Sequence, residues 1–242
     1  MPEQTIPAFL AAATVDPAVR ALRPDYRAML LVAEGIDPDA PSGTGSDPAD
    51  ELIAAAEAHA RDLLAEHAPD ELPHIAAWRE AYRSFGAKPQ RTRNSLEALT
   101  RRAPDGLPRV NALTDVYNAV SVLHQVPLGG EDFARYRGPA RLVRATGDEP
   151  FDTAAGGESV VEHPSPGEVV WTDDDGVTCR RWNWRQGRRT ALTERTRTAF
   201  FILDALGPMS DAELEAAADA LESAVVRLGA SVTVQRRLVG AP

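Results

Sequence analysis

The sequence predicts an α+β fold, with helices on the N-terminal side followed by a mixed, strand-rich body. Apolar residues recur at helical spacing up to about residue 126, and the period changes towards two from residue 139. Elements of one type follow one another instead of alternating, which argues against a series of βαβ units. With 242 residues, of which 43% are hydrophobic and 26% charged, the chain can bury one substantial core.

The N-terminal side begins with the apolar run 26–32, which predicts a strand. Prolines and glycines crowd the segment 37–48 and predict a flexible loop. Periodic apolar residues then predict helices at 50–66, at 72–85, between Ser95 and Gly106, and at 111–126. We assign residues 1–75 to the N-terminal part of the same domain and residues 76–242 to its core.

The body of the domain is predicted from residue 139 onwards. Alternating apolar residues predict strands over 141–145, 168–172, 177–184, 199–203 and 231–239. An Asp-Gly pair at 175–176 predicts a hairpin turn between two of these strands. An amphipathic helix with an acidic outer face is predicted over 211–228, so that a helix and a strand close the domain.

The segment with the most functional content reads T-C-R-R-W-N-W-R-Q, at residues 178–186. In a strand, successive side chains point to opposite faces, so Trp182 and Trp184 would share one face. The other face would carry a polar row of Arg181, Asn183 and Arg185. Such a strand suggests a wall that receives a ligand with a flat part and an anionic part. Alternatively, both tryptophans are core anchors and the arginines are solvated.

The charge is unevenly distributed along a chain whose formal net charge is −10. Residues 79–109 contain eight basic and three acidic side chains, and residues 180–197 contain seven arginines and one acid. If the fold brings these patches together, they form a surface that attracts phosphate groups. The alternative for both patches is a set of solvated faces.

Several classes of protein are excluded by what the sequence lacks. No apolar run approaches the length of a membrane span, and the N-terminus does not resemble a secretory signal. The single cysteine, Cys179, precludes an intrachain disulfide, so a cytoplasmic location is expected. Because Cys179 lies within a predicted strand, we interpret it as a small buried apolar residue; the alternative is a nucleophile. No G-x-S-x-G, H-E-x-x-H or phosphate-loop motif is present, and we expect neither metal nor cofactor.

Six segments, in uninterrupted order, resemble one known family. The longest reads R-R-x-x-x-G-L-P-R-V-N-A-L-T-D-V-Y-N-A-V, at 101–120, and the others lie at 78–86, 126–132, 138–151, 167–171 and 180–186. The pattern resembles the B3/B4 domain, the editing module of the phenylalanyl-tRNA synthetase β subunit. A free-standing bacterial form of the domain is similar in W-R-x-x-Y-R-x-F-G and in R-R-W-N-W-R-Q.

This resemblance implies a B3/B4-like fold and an activity. In the synthetase, the module hydrolyses tyrosine mis-attached to the phenylalanine tRNA, in a pocket where a water is directed at the aminoacyl ester. Free-standing copies resemble trans-acting editing factors. Such a reaction needs a positioned water and donors for the developing oxyanion, without a covalent nucleophile or a metal. The implied partner is therefore tRNA or an aminoacyl-tRNA.

The sequence departs from the family pattern at two positions tied to editing. The family's His in P-L-H-A-F-D corresponds to Gly129, and a Glu in a later strand corresponds to Ile202. Asp204 is close to that second position but two places out of register. The glycine-rich segment of the synthetase pocket is replaced by R-R-W-N-W-R-Q. Either this form uses other groups on another ester, or it binds without hydrolysis.

Three sets of candidate site residues follow. Groups that can direct a water or stabilise an oxyanion are the catalytic candidates Asn118, Asn183 and Arg185. Side chains that could contact substrate are Asp115, Arg181, Trp182, Trp184, Gln186, Thr193 and Thr196. Candidates for contact with the tRNA backbone are Lys88, Arg91, Arg93 and Arg101. From the residues alone, Asp115 could instead bond helix to sheet, and the threonines could instead form turns and caps.

Three functions are compatible with this sequence. The first is a trans-acting aminoacyl-tRNA deacylase of unspecified aminoacyl group. The second is a non-catalytic module that binds tRNA or an aminoacyl or other small ligand. The third is an unrelated activity on a reused fold.

Overall fold

A computed structural model describes residues 5–37 and 48–240, and the loop predicted over 37–48 lies outside the described residues except for its two end positions. Its helices are α1 (Ile6–Ala12), α2 (Pro17–Leu22), α3 (Pro48–Glu66), α4 (Pro73–Ser84), α5 (Ser95–Arg102), α6 (Ala112–Leu123) and α7 (Asp211–Val225). Its strands are β1 (Thr14–Val15), β2 (Arg27–Glu34), β3 (Leu128–Asp132), β4 (Arg141–Arg144), β5 (Phe151–Ala155), β6 (Glu158–Glu162), β7 (Val169–Thr172), β8 (Val177–Arg180), β9 (Arg185–Gln186), β10 (Thr198–Ala205) and β11 (Thr233–Val239). The predicted α+β fold class is confirmed.

A four-stranded antiparallel sheet has the order β11-β2-β10-β3. Its central strands, β2 and β10, are apolar and buried on both faces, as expected for strands that are covered on both sides. On one face, Leu30 and Phe200 join a core cluster that also contains residues of the second sheet. On the other face, Leu31 and Phe201 pack with residues of α6 and α7.

The second sheet has five strands, in the order β1-β4-β7-β8-β9. Strand β1 is parallel to β4, and the other neighbours are antiparallel. Trp171 of β7 and Cys179 of β8 belong to the same core cluster as Leu30 and Ile202 of the first sheet. The main core of the domain therefore lies between the two sheets.

The predicted helices are confirmed, with ends displaced by a few residues: α3, α4, α5, α6 and α7. Side-chain caps begin several of them, as in α6, where the Asn111 side chain accepts a hydrogen bond from Thr114 N at 2.9 Å. Helices α1 and α2, strands β1 and β3 and the β5–β6 hairpin were not predicted. None of the described helices is both long enough and apolar enough to cross a bilayer.

Candidate functional site

A cavity of about 260 Å³ lies between the two sheets and extends to α5 and α6, and we call it the inter-sheet cavity. Three indoles line it, from Trp171, Trp182 and Trp184. Its polar lining comes from Asn118, Glu131, Asn183, Gln186 and Asp204. The lining residues Ala98 and Arg185 are exposed to solvent, so they mark its mouth.

The segment after β8 forms this cavity because the strand ends early. The prediction of a single strand over 177–184 is wrong beyond Arg180, where the chain enters a turn and resumes pairing only at Arg185. Arg181 and Trp182 adopt left-handed backbone conformations, with φ of 50° and 68°. Such conformations are unfavourable for bulky side chains, and hydrogen bonds such as Trp182 N to Val169 O at 2.7 Å stabilise them here.

The turn separates the two tryptophans that the strand prediction placed on one face. Trp182 is fully buried and packs edge-to-face on Tyr26 and Trp78, with ring centroids 5.0 and 5.3 Å away. Trp184 is only half-buried, and the guanidinium of Arg181 lies 4.4 Å from its ring centroid. The interpretation as a core anchor therefore applies to Trp182, and the predicted common face of the two indoles is wrong.

Asp204 is the most unusual group of the cavity because a buried carboxylate meets only neutral donors there. Its side chain accepts hydrogen bonds from the Tyr26 hydroxyl at 2.5 Å and from Asn183 Nδ2 at 3.2 Å. Burial raises the pKa of Asp204 to about 7, although the hydrogen bonds from these two donors and the proximity of the Trp171 indole N–H oppose this rise. The buried Trp171 Nε1 forms no hydrogen bond with a described residue. A carboxyl group in this state can exchange a proton near neutral pH.

Asn183 is held between the carboxylate and helix α4. Its Oδ1 accepts a hydrogen bond from the Tyr82 hydroxyl at 3.0 Å, which leaves Nδ2 directed at Asp204. Its backbone carbonyl accepts from Ser95 N, the first residue of α5, at 2.9 Å. The hydrogen bond from Tyr82 to Asn183 thus joins two sequence motifs, 78–86 and 180–186, beside the cavity.

A second buried acid, Glu131, lines the same cavity from β3. It accepts hydrogen bonds from the hydroxyls of Tyr136 and Thr190, the latter at 2.9 Å. Burial raises the pKa of Glu131 to about 7. Burial, followed by the negative charges of Glu131 and Asp204, raises the pKa of the Cys179 thiol well above its usual value. A thiol in that environment is a poor nucleophile.

The two positions that depart from the family pattern face this cavity. Gly129 and Ile202 are direct partners across β3 and β10, and both line the cavity. Asp204 lies two residues after Ile202 on the same strand, so the two side chains share a face. Gln186 Nε2 donates a hydrogen bond to the Gly130 carbonyl at 2.9 Å. In that position it would lie only 2.7 Å from a Cβ added to Gly129. The Gln186 amide therefore fills the space beside Gly129.

The other predicted catalytic and substrate residues separate into two groups. Asn118 and Arg185 line the inter-sheet cavity with Asn183, Gln186 and both turn tryptophans. Four others do not line it: Arg181, Asp115, Thr193 and Thr196. Asp115 accepts a hydrogen bond from Val110 N at 2.8 Å, and Thr196 donates to Asp132 at 2.9 Å. In the structure, these two side chains therefore have local bonding partners.

The predicted nucleic-acid residues also separate. Arg93 and Arg101 lie within 3.6 and 3.0 Å of Glu97 Oε1, and Arg79 lies 2.7 Å from it. Glu97 is fully buried, so this cluster resembles an internal ion network. Lys88 and Arg91 instead line a second cavity, together with Arg181.

Asp204 and Glu131 were missing from the sequence-based candidates. Asp204 lies in the apolar strand β10 and Glu131 in the buried strand β3, and an acid in such a strand must be paired or close to a ligand. Asp204 ends the run F-F-I-L-D, and that pattern alone was a usable signal. Glu131 is followed by Asp132, and the sequence does not distinguish which of them faces inward.

Comparisons with known proteins extend over most of the chain. A crystal structure of an N-terminal fragment of the phenylalanyl-tRNA synthetase β subunit from Pyrococcus horikoshii superimposes with a TM-score of 0.46 and 12% sequence identity. The match covers 94% of this chain and 54% of that one, so this chain spans about half the length of that fragment. No curated protein sequence matches significantly. The B3/4 domain family profile matches residues 77–224, which is more than half of the chain, and the chain therefore belongs to the B3/4 domain family.

Proposed function

We propose that this chain hydrolyses the ester bond of an aminoacyl-tRNA in the inter-sheet cavity, with Asp204 as the general base. The observation that carries this proposal is a buried carboxyl group whose pKa is raised to about 7, beside amide side chains in a cavity of about 260 Å³. That volume is just below the usual range of about 300–1,000 Å³ for small-molecule sites. It suits one aminoacyl group together with a water.

The geometry supports a direct attack of water on the ester. Ionised Asp204 takes a proton from a water, and the water oxygen forms a bond to the ester carbonyl carbon. The resulting negative oxygen accepts hydrogen bonds from the amide groups of Asn118 and Gln186. The bond to the ribose oxygen then breaks, and that oxygen receives the proton. The Asn118 side chain makes no hydrogen bond to another described residue, so its donors are available.

Asn183 has a positioning role in this proposal. Because Tyr82 occupies Asn183 Oδ1, Nδ2 is the atom presented to Asp204. Donation to one carboxylate oxygen, with Tyr26 on the other, fixes the plane of the carboxyl group. Arg185, at the mouth, supplies a positive charge for the phosphate-bearing part of the substrate.

Membership of the B3/4 family and the resemblance of the sequence to an editing module support the substrate class. The Gly129 and Ile202 replacements favour a different catalytic group on the same face, where Asp204 and Glu131 are the acids among the described residues. We assign the role to Asp204 because it lies two residues from Ile202 on β10 and next to the Asn183 amide. The same replacements also favour a second candidate function. In that alternative the chain binds tRNA or an aminoacyl ligand without hydrolysing it.

The test is deacylation of a panel of labelled aminoacyl-tRNAs by the wild type and by Asp204→Asn. We expect multiple-turnover ester loss that Asp204→Asn lowers at least about 100-fold, the range of general-base contributions. The matched control is Asp132→Asn, because Asp132 is also a buried acid but does not line the cavity. After subtraction of spontaneous hydrolysis, the wild-type rate should rise with pH and level off above about 7, since only ionised Asp204 accepts a proton.

Equal rates for wild type and Asp204→Asn would contradict the role of Asp204. No ester loss above the spontaneous rate, with tRNA still bound, would favour the binding module. Neither ester loss nor tRNA binding would exclude both tRNA functions.

A further inference from the structure

A second cavity, of about 270 Å³, adjoins the inter-sheet cavity, and its residues have no role in the reaction proposed above. It is lined by the loop after α4, by Ser165 and Glu168, and by Arg181. The stacked pair Arg181 and Trp184 separates the two cavities, because Arg181 lines one and Trp184 lines the other. We call the second one the basic cavity, after its cations Lys88, Arg91 and Arg181.

The lining of the basic cavity carries an excess of positive charge. Glu168 is its acid among the described residues, and Arg180 already binds both oxygens of that carboxylate, at 2.9 and 3.0 Å. Arg181 Nε is farther from Glu168, at 3.7 Å. Lys88 and Arg91 are exposed and form no ion pair with a described residue. Arg180 also contacts Glu162, at 2.7 Å, so four cations and two acids lie on and beside this concave surface and leave an excess of two positive charges.

Arg181 is held in place before any ligand arrives. Its guanidinium carbon lies over the Trp184 ring, 4.4 Å from the centroid, and one of its terminal nitrogens donates to the Thr92 hydroxyl. The left-handed backbone at Arg181 directs it away from the strand and into this position. A guanidinium fixed in this way loses little freedom on binding and presents its remaining N–H groups as a fork suited to phosphate oxygens.

We propose that the basic cavity binds a phosphate group of the nucleic-acid strand whose 3′ end enters the inter-sheet cavity. Lys88, Arg91 and Arg181 are the residues that contact the phosphate oxygens. This inference rests on the proposed function for its orientation, since it places the phosphate on one side of the Trp184 ring and the ester on the other. Charge and position favour a phosphodiester over a carboxylate, because three cations surround a space next to the site of the ester.

The test measures binding without turnover, so it does not depend on hydrolysis. Calorimetric titration compares the trinucleotide CCA carrying a 5′-phosphate, the same trinucleotide without it, and inorganic phosphate. The proteins are the wild type, the double variant Lys88→Ala/Arg91→Ala, and Arg227→Ala. Arg227 is the matched control because it is an exposed arginine that lines neither cavity.

We expect the double variant to weaken binding of the phosphorylated trinucleotide at least about tenfold and Arg227→Ala to change it less than about twofold. The slope of log K against log salt concentration should become shallower by about 0.7 for each cation–phosphate interaction that the substitutions remove. Unchanged affinity and slope in the double variant would overturn the proposal, as would failure of the wild type to bind the trinucleotide. Equally tight binding of inorganic phosphate, with no gain from the nucleotides, would overturn the assignment to a nucleic-acid strand.

The two proposals fail in distinguishable ways. If Asp204-dependent hydrolysis occurs but the double variant binds the trinucleotide normally, the basic cavity is excluded and the ester site stands. If no ester is hydrolysed but the double variant loses trinucleotide binding, the basic cavity stands and the chain is a binding module.

Discussion

Glu97 and Asp204 are both buried acids of this domain, but their surroundings differ in kind. Glu97 is contacted by three arginines, Arg79, Arg93 and Arg101, whereas the hydrogen bonds to Asp204 come from the neutral groups of Tyr26 and Asn183. Cations compensate the charge of the first carboxylate, which links α4 to α5. Neutral donors compensate the second only in part, and burial raises its pKa to about 7.

The difference separates an acid that holds the fold together from one that is available for proton transfer. An ionised group that is matched by opposite charges gains nothing from releasing or accepting a proton near neutral pH. A group that is only partly compensated can change its protonation state at little cost, and general acid–base chemistry requires this property. Burial alone therefore does not identify a reactive carboxylate, and the charge of its neighbours decides.

The largest expected effect tests the structural side of this comparison. Glu97→Gln removes the negative charge while keeping the shape, and leaves Arg79, whose side chain is 10% exposed, without its closest partner. We expect the free energy of unfolding to fall by about 3 kcal/mol, as for other broken buried ion pairs. Urea denaturation at pH 7 measures it. A decrease below about 1 kcal/mol would mean that Glu97 does not hold α4 to α5.

The next effect concerns the pH dependence of stability. The pKa of Asp204 rises from about 4 unfolded to about 7 folded, so the unfolded state binds fewer protons between these values. Its contribution to stability is therefore complete below pH 4 and is lost as pH rises through 7. We expect this single group to lower the free energy of unfolding by about 2–3 kcal/mol between pH 5 and 8.

Urea denaturation from pH 5 to 8 compares the wild type with Asp204→Asn. The variant should have the smaller decline, with the remaining part due to Glu131, whose pKa is also raised to about 7. Asp132→Asn should keep the wild-type slope. Identical slopes for wild type and Asp204→Asn would show that Asp204 is compensated as fully as Glu97.

The smallest expected effect tests how strongly the Tyr26 hydroxyl lowers the pKa of Asp204. Tyr26→Phe removes one of the hydrogen bonds that oppose the rise, so the pKa of Asp204 should increase by about one unit, equivalent to about 1.4 kcal/mol. Carboxyl carbon NMR titration of labelled protein measures the shift. Tyr82→Phe is the control, because its hydroxyl contacts Asn183 and not the carboxylate. Equal shifts in the two variants would contradict a direct role of the Tyr26 hydroxyl.

Much of the fold was predictable because local signals agree with tertiary structure in the helices. In α6, the Asn111 cap, the periodic apolar residues and the polar interruptions all indicate one element, and the structure contains it. The same holds for α7, which begins with a Ser210–Glu213 capping box. Helix α1 escaped prediction because its seven residues are all apolar, so they show no helical periodicity, and because it covers less than two full turns.

The site was predictable only in part, because its decisive feature is not local. The alternation of Trp182, Asn183 and Trp184 favours a strand, and neither Arg181 nor Trp182 carries a turn signal, since glycine is the usual left-handed residue. Tertiary bonds to Val169 and burial among aromatic rings outweigh that local preference. Asn183 and Gln186 were identified by residue type. For Asp204 the sequence signal is an acid at the end of an apolar run, and its place beside the cavity follows from the register of β10 against β3.

The close approach of Gln186 to Gly129 means that these two positions, 57 residues apart, share one volume. A side chain at position 129 would collide with the amide at 186, since a Cβ there would lie 2.7 Å from Gln186 Nε2. A histidine at position 129 therefore requires the flexible end of the Gln186 side chain to turn away and give up its hydrogen bond to the Gly130 carbonyl. A single substitution at position 129 thus changes the cavity lining at both positions.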